Sequence, residues 1–263
     1  MTKKMLIILM ILSFGKLYCV EYDKVKGIKW VEGIGETIVK KGENLQEKTN
    51  NAYSTAKLKA VSRVYPFNIY GNGMKSKIMQ RYIMERVNIN IVKELSADWE
   101  RDVIEEGVVK YRINLKLGIK DRGESLNSSS ELKLLCNKEN YVENERMKFK
   151  CFSSEKGYVA LFVFYDNGAV QRIGFGDSNH KGEIKSDRES DGLGEWGAYE
   201  VLIPEESGKE QLLYAVYTKS YFDTYVKYKD GKMSIEELAK EIENLNGYSE
   251  SAVMYTVERL NIR

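Results

Sequence analysis

Histidine is almost missing from this chain: His180 is the one among 263 residues. A Ser-His-Asp or Cys-His relay would have to be built on it, in a loop of glycines and charges. A catalytic zinc centre, which ordinarily draws two or more ligands from His and Cys, is equally short of material. Proline occurs only twice, so little interrupts the chain, and with 43% apolar residues it can bury a substantial core in one or two domains. Charge of one sign is not in excess either. Setting aside residues 1–19 removes Lys3, Lys4 and Lys16 and no acid, so the 41 basic residues become 38 against 39 acidic ones. So neutral a chain has no overall pull toward nucleic acid or an anionic membrane.

Long apolar runs are lacking too. Met5 to Leu12, behind Lys3 and Lys4 and closed by Ser13-Phe14-Gly15, falls short of the roughly 20 apolar residues that cross a bilayer. It does have the basic, apolar and small-residue order of a secretory signal, which is why residues 1–19 are kept out of the fold. Export to the periplasm or the outer-membrane surface is the expectation. Cys19, just past the run, is a candidate lipid attachment point, although Leu17-Tyr18 ahead of it lacks the small residue such processing favours. No later segment is long and apolar enough to span, so membrane anchoring is expected only through a lipidated Cys19.

Cysteine is scarce: beyond residue 19 there are only Cys136 and Cys151. An exported setting permits a disulfide between them. Leu132 to Cys136 and Met147 to Cys151 read as strands joined by a polar bend at Glu143-Asn144. A hairpin centred there pairs positions that sum to 287, which sets the two sulfurs opposite each other. A bridge and a pair of half-buried thiols stand as the two readings, and the tight separation a disulfide requires decides between them.

What the sequence does contain is pattern. The Ser-rich stretch Gly123 to Ser130 reads as a linker between a domain over 20–122 and another over 131–263. In the first, Lys29 to Ile38 is strand-like and carries Gly33-Ile-Gly35. Glu43 to Val64 contains neither Gly nor Pro and places Leu45, Thr49, Ala52, Ala56, Ala60 and Val64 on one helical face. Its alanines let it lie close against a sheet, and Pro66 stops it. Gly33-Ile-Gly35 lacks the lysine and following helix of a phosphate cradle, so a tight bend or close backbone approach is the better reading. A second helix is expected over Lys75 to Arg86, then strands from about Asn88 to Ala97 and over Val108 to Leu117, with Glu105-Glu106-Gly107 as a turn.

From Glu131 the signals are mostly strand, at the spacing of a sandwich. The arms of Gly157 to Phe175 are apolar on almost every residue, as strands buried on both faces are, and Asp166-Asn167-Gly168 hinges them, with Asn167-Gly168 supplying positive φ angles. Ser234-Ile-Glu-Glu237 forms a capping box for a helix over 234–246, with Leu238, Ile242 and Leu245 inward and Gly247 at its end. A last strand runs from Ser251 to Leu260. The fold class expected is an α+β N-terminal domain followed by an Ig-like antiparallel β-sandwich with a C-terminal helix and strand.

Three stretches of the second half carry a likeness. Tyr141-Val-Glu-Asn-Glu145-Arg-Met147, Gly157-Tyr-Val-Ala-Leu-Phe-Val163 with Asp166-Asn-Gly168-Ala-Val170, and Pro204-Glu-Glu-Ser-Gly208-Lys-Glu210-Gln-Leu-Leu-Tyr-Ala215-Val216 resemble the pattern of domain of unknown function 4384, over about Glu131 to Phe222. That family is a small β-rich module of bacterial envelope proteins. Gly174-Phe175-Gly176-Asp177 stands where the family tends to have a proline. The first half, through Glu32-Gly33-Ile34-Gly35 and the helix with Ala52, Ala56 and Ala60, more loosely resembles the small α+β domain of bacterial envelope lipoproteins and of a flagellar-assembly protein. Neither resemblance implies a catalytic residue.

Chemistry is correspondingly thin. Asp177 to Glu195 gathers acids in a way that raises calcium, but Lys181, Lys185 and Arg188 intervene and the ordered alternation of oxygen ligands is missing, so a solvated loop is expected. No metal or cofactor is expected elsewhere, and no carboxylate pair stands out. The tyrosines say more: Tyr214, Tyr217, Tyr221, Phe222, Tyr225 and Tyr228 crowd the end of the sandwich. Most such rings fill sheets, but Tyr217, Tyr221, Phe222, Tyr225 and Tyr228 form the candidate surface for a protein or glycan partner in the envelope. The functional expectation is a binding or assembly module without catalysis. Its alternatives are an envelope glycan hydrolase using a carboxylate pair and a lipoprotein scaffold of a motility or secretion complex.

Overall fold

The computed structural model describes residues 21–23, 27–65, 69–120, 132–173, 183–184, 198–204, 207–221, 232–245 and 247–259. In chain order they form β1 (Glu21–Asp23), β2 (Ile28–Lys40), α1 (Leu45–Ser62), β3 (Ile69–Tyr70), a 3-10 turn (Asn72–Lys75), α2 (Lys77–Asn90), β4 (Ile91–Glu105), β5 (Val108–Lys120), β6 (Leu132–Cys136), β7 (Asn140–Val142), β8 (Arg146–Ser153), β9 (Gly157–Tyr165), β10 (Ala169–Ile173), β11 (Glu183–Ile184), β12 (Ala198–Glu200), β13 (Glu210–Thr218), β14 (Lys232–Ser234), α3 (Ile235–Glu243) and β15 (Tyr248–Glu258). The described chain is thus mostly strand with three α-helices, an α+β protein. It divides into two compact units. The first takes Met1–Pro66 and Asn90–Asp121, the second Phe67–Ile89 and Arg122–Arg263.

In the first unit a four-stranded antiparallel sheet runs β1-β2-β5-β4. Helix α1 starts where Asn44 accepts the Glu47 backbone N–H at 3.2 Å, and it buries Ala52, Ala56, Ala60 and Val61. The alanine face meets the two glycines of β2. A Cβ on Gly33 would lie 2.1 Å from the Ala56 carbonyl oxygen, and one on Gly35 1.8 Å from that of Ala52. The expected close approach of helix and sheet is therefore realised at these positions. Val31, Ile113, Leu115, Leu117 and Ile119 fill the rest of this core, and Gly107, at φ 76°, closes the β4–β5 turn.

The second unit is built on a large sheet in the order β14-β10-β9-β13-β15-β3, with β11 added to β9 and β7 to β15. The three-stranded sheet β12-β8-β6 covers one face, where Leu161, Val163, Leu213 and Ala215 share a core with Leu134, Met147, Phe149 and Cys151. Alternate residues of the same strands, Phe162, Phe164 and Tyr214, point the other way, and Tyr82 of α2 stands edge-on to Phe164 at 5.2 Å and to Tyr214 at 5.3 Å. That second covering is why β9 and β13 are apolar on nearly every residue. Ser234 and Glu237 make the expected capping box of α3, which buries Leu238 and Ile242, while Leu245 is half-buried beyond its end.

Four expectations need correction. The division at 123–130, itself outside the described residues, does not hold for 67–89, because α2 buries Met79, Tyr82, Ile83 and Arg86 within the second unit. Helix α2 also continues to Asn90 before β4 begins, since its inward face carries on through Arg86 and Val87 at helical steps. In the Asp166-Asn167-Gly168 loop only Gly168, at φ 89°, is left-handed; its N–H donates to the Tyr165 carbonyl at 3.0 Å, closing a three-residue hairpin loop.

The fourth correction is the disulfide. Cys136 and Cys151 are both free thiols. Strands β6 and β8 pair Leu134 with Cys151 and Cys136 with Phe149, so opposed positions sum to 285. The cysteines become diagonal neighbours, roughly 7–8 Å apart on such a ladder, too far for a bridge. The connection is no simple bend: Asn140–Val142 leaves to pair in parallel with Thr256, Val257 and Glu258 of β15, and Asn144 takes a positive φ of 68°. Burial pushes both thiols up to about 12.

Candidate contact surface

Strand β4 has fifteen residues, ends the sheet of the first unit and, among the described residues, pairs on one side only, with β5. From Ser96 to Val103 it runs in unbroken antiparallel register against Lys116 to Val109, and register shifts interrupt the ladder between Glu94 and Ser96 and between Val103 and Glu105. Opposed residues share a face of the sheet. Ala97 and Trp99 lie opposite the buried Leu115 and Ile113, on the face that α1 covers over β2 and β5. Yet Trp99 is 44% exposed and Val103 68%, so the apolar row of β4 extends past the cover of the helix. The Tyr53 hydroxyl of α1 donates to Glu94 of β4. Val92, Leu95 and Ile104 are exposed as well.

The opposite row of β4 is acidic. Asp98, Glu100 and Asp102 lie opposite Asn114, Arg112 and Lys110, and the Asn114 amide donates to Glu100 at 2.9 Å. Lys110 pairs with Glu36 at 3.0 Å, and that hydrogen bond leads the effects that hold the Glu36 carboxyl below its usual range.

The sequence-derived tyrosine surface separates. Tyr217 is fully buried: its ring lies over Gly157, where a Cβ would come within 2.4 Å, and its hydroxyl donates to the Lys156 carbonyl at 2.9 Å. It is therefore core and no part of a contact surface. Tyr221 is exposed and stands edge-on to Tyr158 at 5.6 Å. Phe222, Tyr225 and Tyr228 lie outside the described residues, as do Cys19, His180 and, apart from the short strand β11, the acidic loop 177–195.

Asp166 turns out to be a clamp. Its carboxylate accepts the Gly208 backbone N–H at 2.7 and 2.8 Å and the Ser207 hydroxyl at 2.7 Å, so the hairpin loop grips the turn that leads into β13. Asp166→Ala is expected to cost about 1 kcal/mol, the typical worth of a hydrogen bond, since the Ser207 bond is part-buried and the Gly208 N–H can turn to water. Hydrogen exchange should quicken at Ser207 and Gly208 and stay unchanged in α1 and β2.

A buried acid pair does exist. Arg86 of α2 donates through Nε to Glu243 of α3 and through Nη1 to Glu250 of β15, each at 2.5 Å, and all three side chains are buried. Its Nη2 also donates to Tyr248. Tyr214 donates to Glu250, and Tyr82 and Tyr214 hydroxyls lie 3.0 Å apart, so with one proton each the chain runs Tyr82 to Tyr214 to Glu250. Burial drives both phenols well above their ordinary range. Burial opposes the charge on Arg86, but the neighbouring carboxylates, Glu250 first, outweigh it and raise its pKa. These carboxylates bind a guanidinium. Among the described residues no group of three or more His, Cys, Asp or Glu is placed to hold a metal ion.

Tyr221 is exposed as its sequence position leads one to expect, whereas the burial of Tyr217, the grip of Asp166 on Ser207 and Gly208, and the exposure of Trp99 are not anticipated by the sequence reading. The signal was present in Asp98-Trp99-Glu100: acids flank the indole, and its neighbours two positions away on the same row, Ala97 and Arg101, are not large apolar residues. Comparison with family models, curated proteins and solved structures finds no match for the chain.

Proposed function

We propose that this is an exported cell-envelope protein, a binding or assembly module without catalysis, and that the β4 edge is its contact surface. The observation that carries the reading is the exposed apolar row of Trp99 and Val103 on an edge strand paired on one side only. An edge strand that leaves a tryptophan and a valine exposed beside a row of acids suits selective pairing with another chain. The signal-like N-terminus supports export to the periplasm or outer-membrane surface, with a lipid anchor if Cys19 is modified. For the second unit, the stacked sheets and the Asp166 clamp between two of its family-like motifs support an Ig-like sandwich related to domain of unknown function 4384. The glycan hydrolase alternative has less in its favour, since the buried acids Glu243 and Glu250 both engage Arg86.

A photo-crosslinking residue placed at Val103 in cells is expected to give a discrete protein adduct that Trp99→Asp abolishes. The same residue at the exposed Gln46 of α1 should give none. Equal adducts from both positions, or an adduct indifferent to Trp99→Asp, would overturn the reading.

A further inference from the structure

We infer that the free edge of β4 receives an added strand from a partner protein at Ser96–Val103, and that this strand alternates Lys or Arg with small apolar residues. The inference rests on the binding-module reading and supplies the chemistry of its partner.

The window comes from the ladder itself. Register shifts on either side of Ser96–Val103 break the regular spacing of backbone groups, so only this run presents an unbroken edge. It contains no proline and no lysine; the charges that guard it are Asp98, Glu100, Asp102 and Arg101, which select among incoming strands by sign.

The chemistry comes from the two rows. A strand laid along β4 sets each of its side chains opposite a residue of the same face. On one face it meets Ala97, Trp99 and Val103, with Arg101 between, which favours small apolar side chains that leave room for the indole. On the other it meets Asp98, Glu100 and Asp102, which favours cations. Over all fifteen residues β4 carries the acids Glu94, Asp98, Glu100, Asp102 and Glu105 against Lys93 and Arg101.

The same charges disfavour a second copy of this chain. Two-fold antiparallel pairing of β4 with itself sets residues of one row against the same row, so Asp98, Glu100 and Asp102 would face one another or Ser96. Like charges directly opposed destabilise a ladder. The acid row thus keeps copies apart while leaving the edge open to a basic strand.

The test uses the full chain and capped peptides of matching length that alternate lysine and valine, with a glutamate-for-lysine series and a series carrying a central proline as comparisons. The lysine peptide is expected to protect amides within Ser96–Val103 from exchange. It should bind roughly tenfold or more tightly than the glutamate peptide, with the advantage shrinking as salt is added. The double variant D98K/D102K, at two exposed positions, should reverse the preference. Equal binding of acidic and basic peptides, protection confined to other segments, undiminished binding of the proline peptide, or self-association of the chain through Ser96–Val103 would each overturn the inference. Should the lysine peptide fail while the Trp99-dependent adduct at Val103 persists, the strand chemistry falls and the binding-module reading stands. Absence of the adduct overturns that reading whatever the peptides do.

Discussion

Arg86→Met is expected to destabilise the second unit by about 3–5 kcal/mol, the range for removing one partner of a buried ion pair. The guanidinium is buried between Glu243 and Glu250, and its loss takes the cation from two carboxylates that are themselves buried. Methionine keeps much of the packing along α2, so lost volume is a minor part of the effect. The triple replacement Arg86→Met, Glu243→Gln and Glu250→Gln should recover a large share of the stability, because a neutral amide is far cheaper to bury than an unbalanced charge. Thermal unfolding of the three proteins checks this: a single variant as stable as the parent, or a triple variant no better than the single, would contradict the account. Exchange should rise first in α3 and β15, where the partners sit.

Gly35→Ala should be nearly as damaging to the first unit, at about 3 kcal/mol or beyond, the upper range for overpacking. The added Cβ would fall 1.8 Å from the Ala52 carbonyl oxygen, which is backbone, so α1 itself must move off the sheet. Ala52→Gly therefore fails to rescue it, which separates this clash from one between side chains. Gly42→Ala is the comparison: nothing lies within 4 Å of a Cβ there, and only its left-handed φ of 90° is strained. A fall of Tm on the order of 10 °C or more for Gly35→Ala, against a smaller one for Gly42→Ala, is the expected result. Equal falls would show that close packing is not what Gly35 provides.

What could be read in the sequence were features whose cause is local. The alanine face of α1, the capping box at Ser234, and the continuous apolar arms around Asp166 each follow from residues near one another in the chain, and each is present. What could not be read depends on distant partners. A two-residue slip leaves every side chain of a strand on the same face, so the alternation of β6 and β8 was equally compatible with both registers and only the detour through β7 fixed one. Tyr217 has the same spacing as a surface tyrosine and is buried because Gly157 makes room for its ring. The contact edge was hidden for a related reason: that α1 covers β2 and β5 and stops short of Trp99 is a matter of where a helix lies, which no periodicity encodes.

Strand β4 begins at Ile91, directly after α2 ends at Asn90, and the boundary between the two units falls between Ile89 and Asn90. The segment 67–89 thus belongs by packing to the second unit while being spelled out inside the first. A fragment cut at the Ser-rich stretch would carry Glu243 and Glu250 away from their arginine and Phe164 and Tyr214 away from Tyr82. Neither unit of this protein can therefore be transplanted by a single cut, because each is made of two separate stretches of chain that must move together.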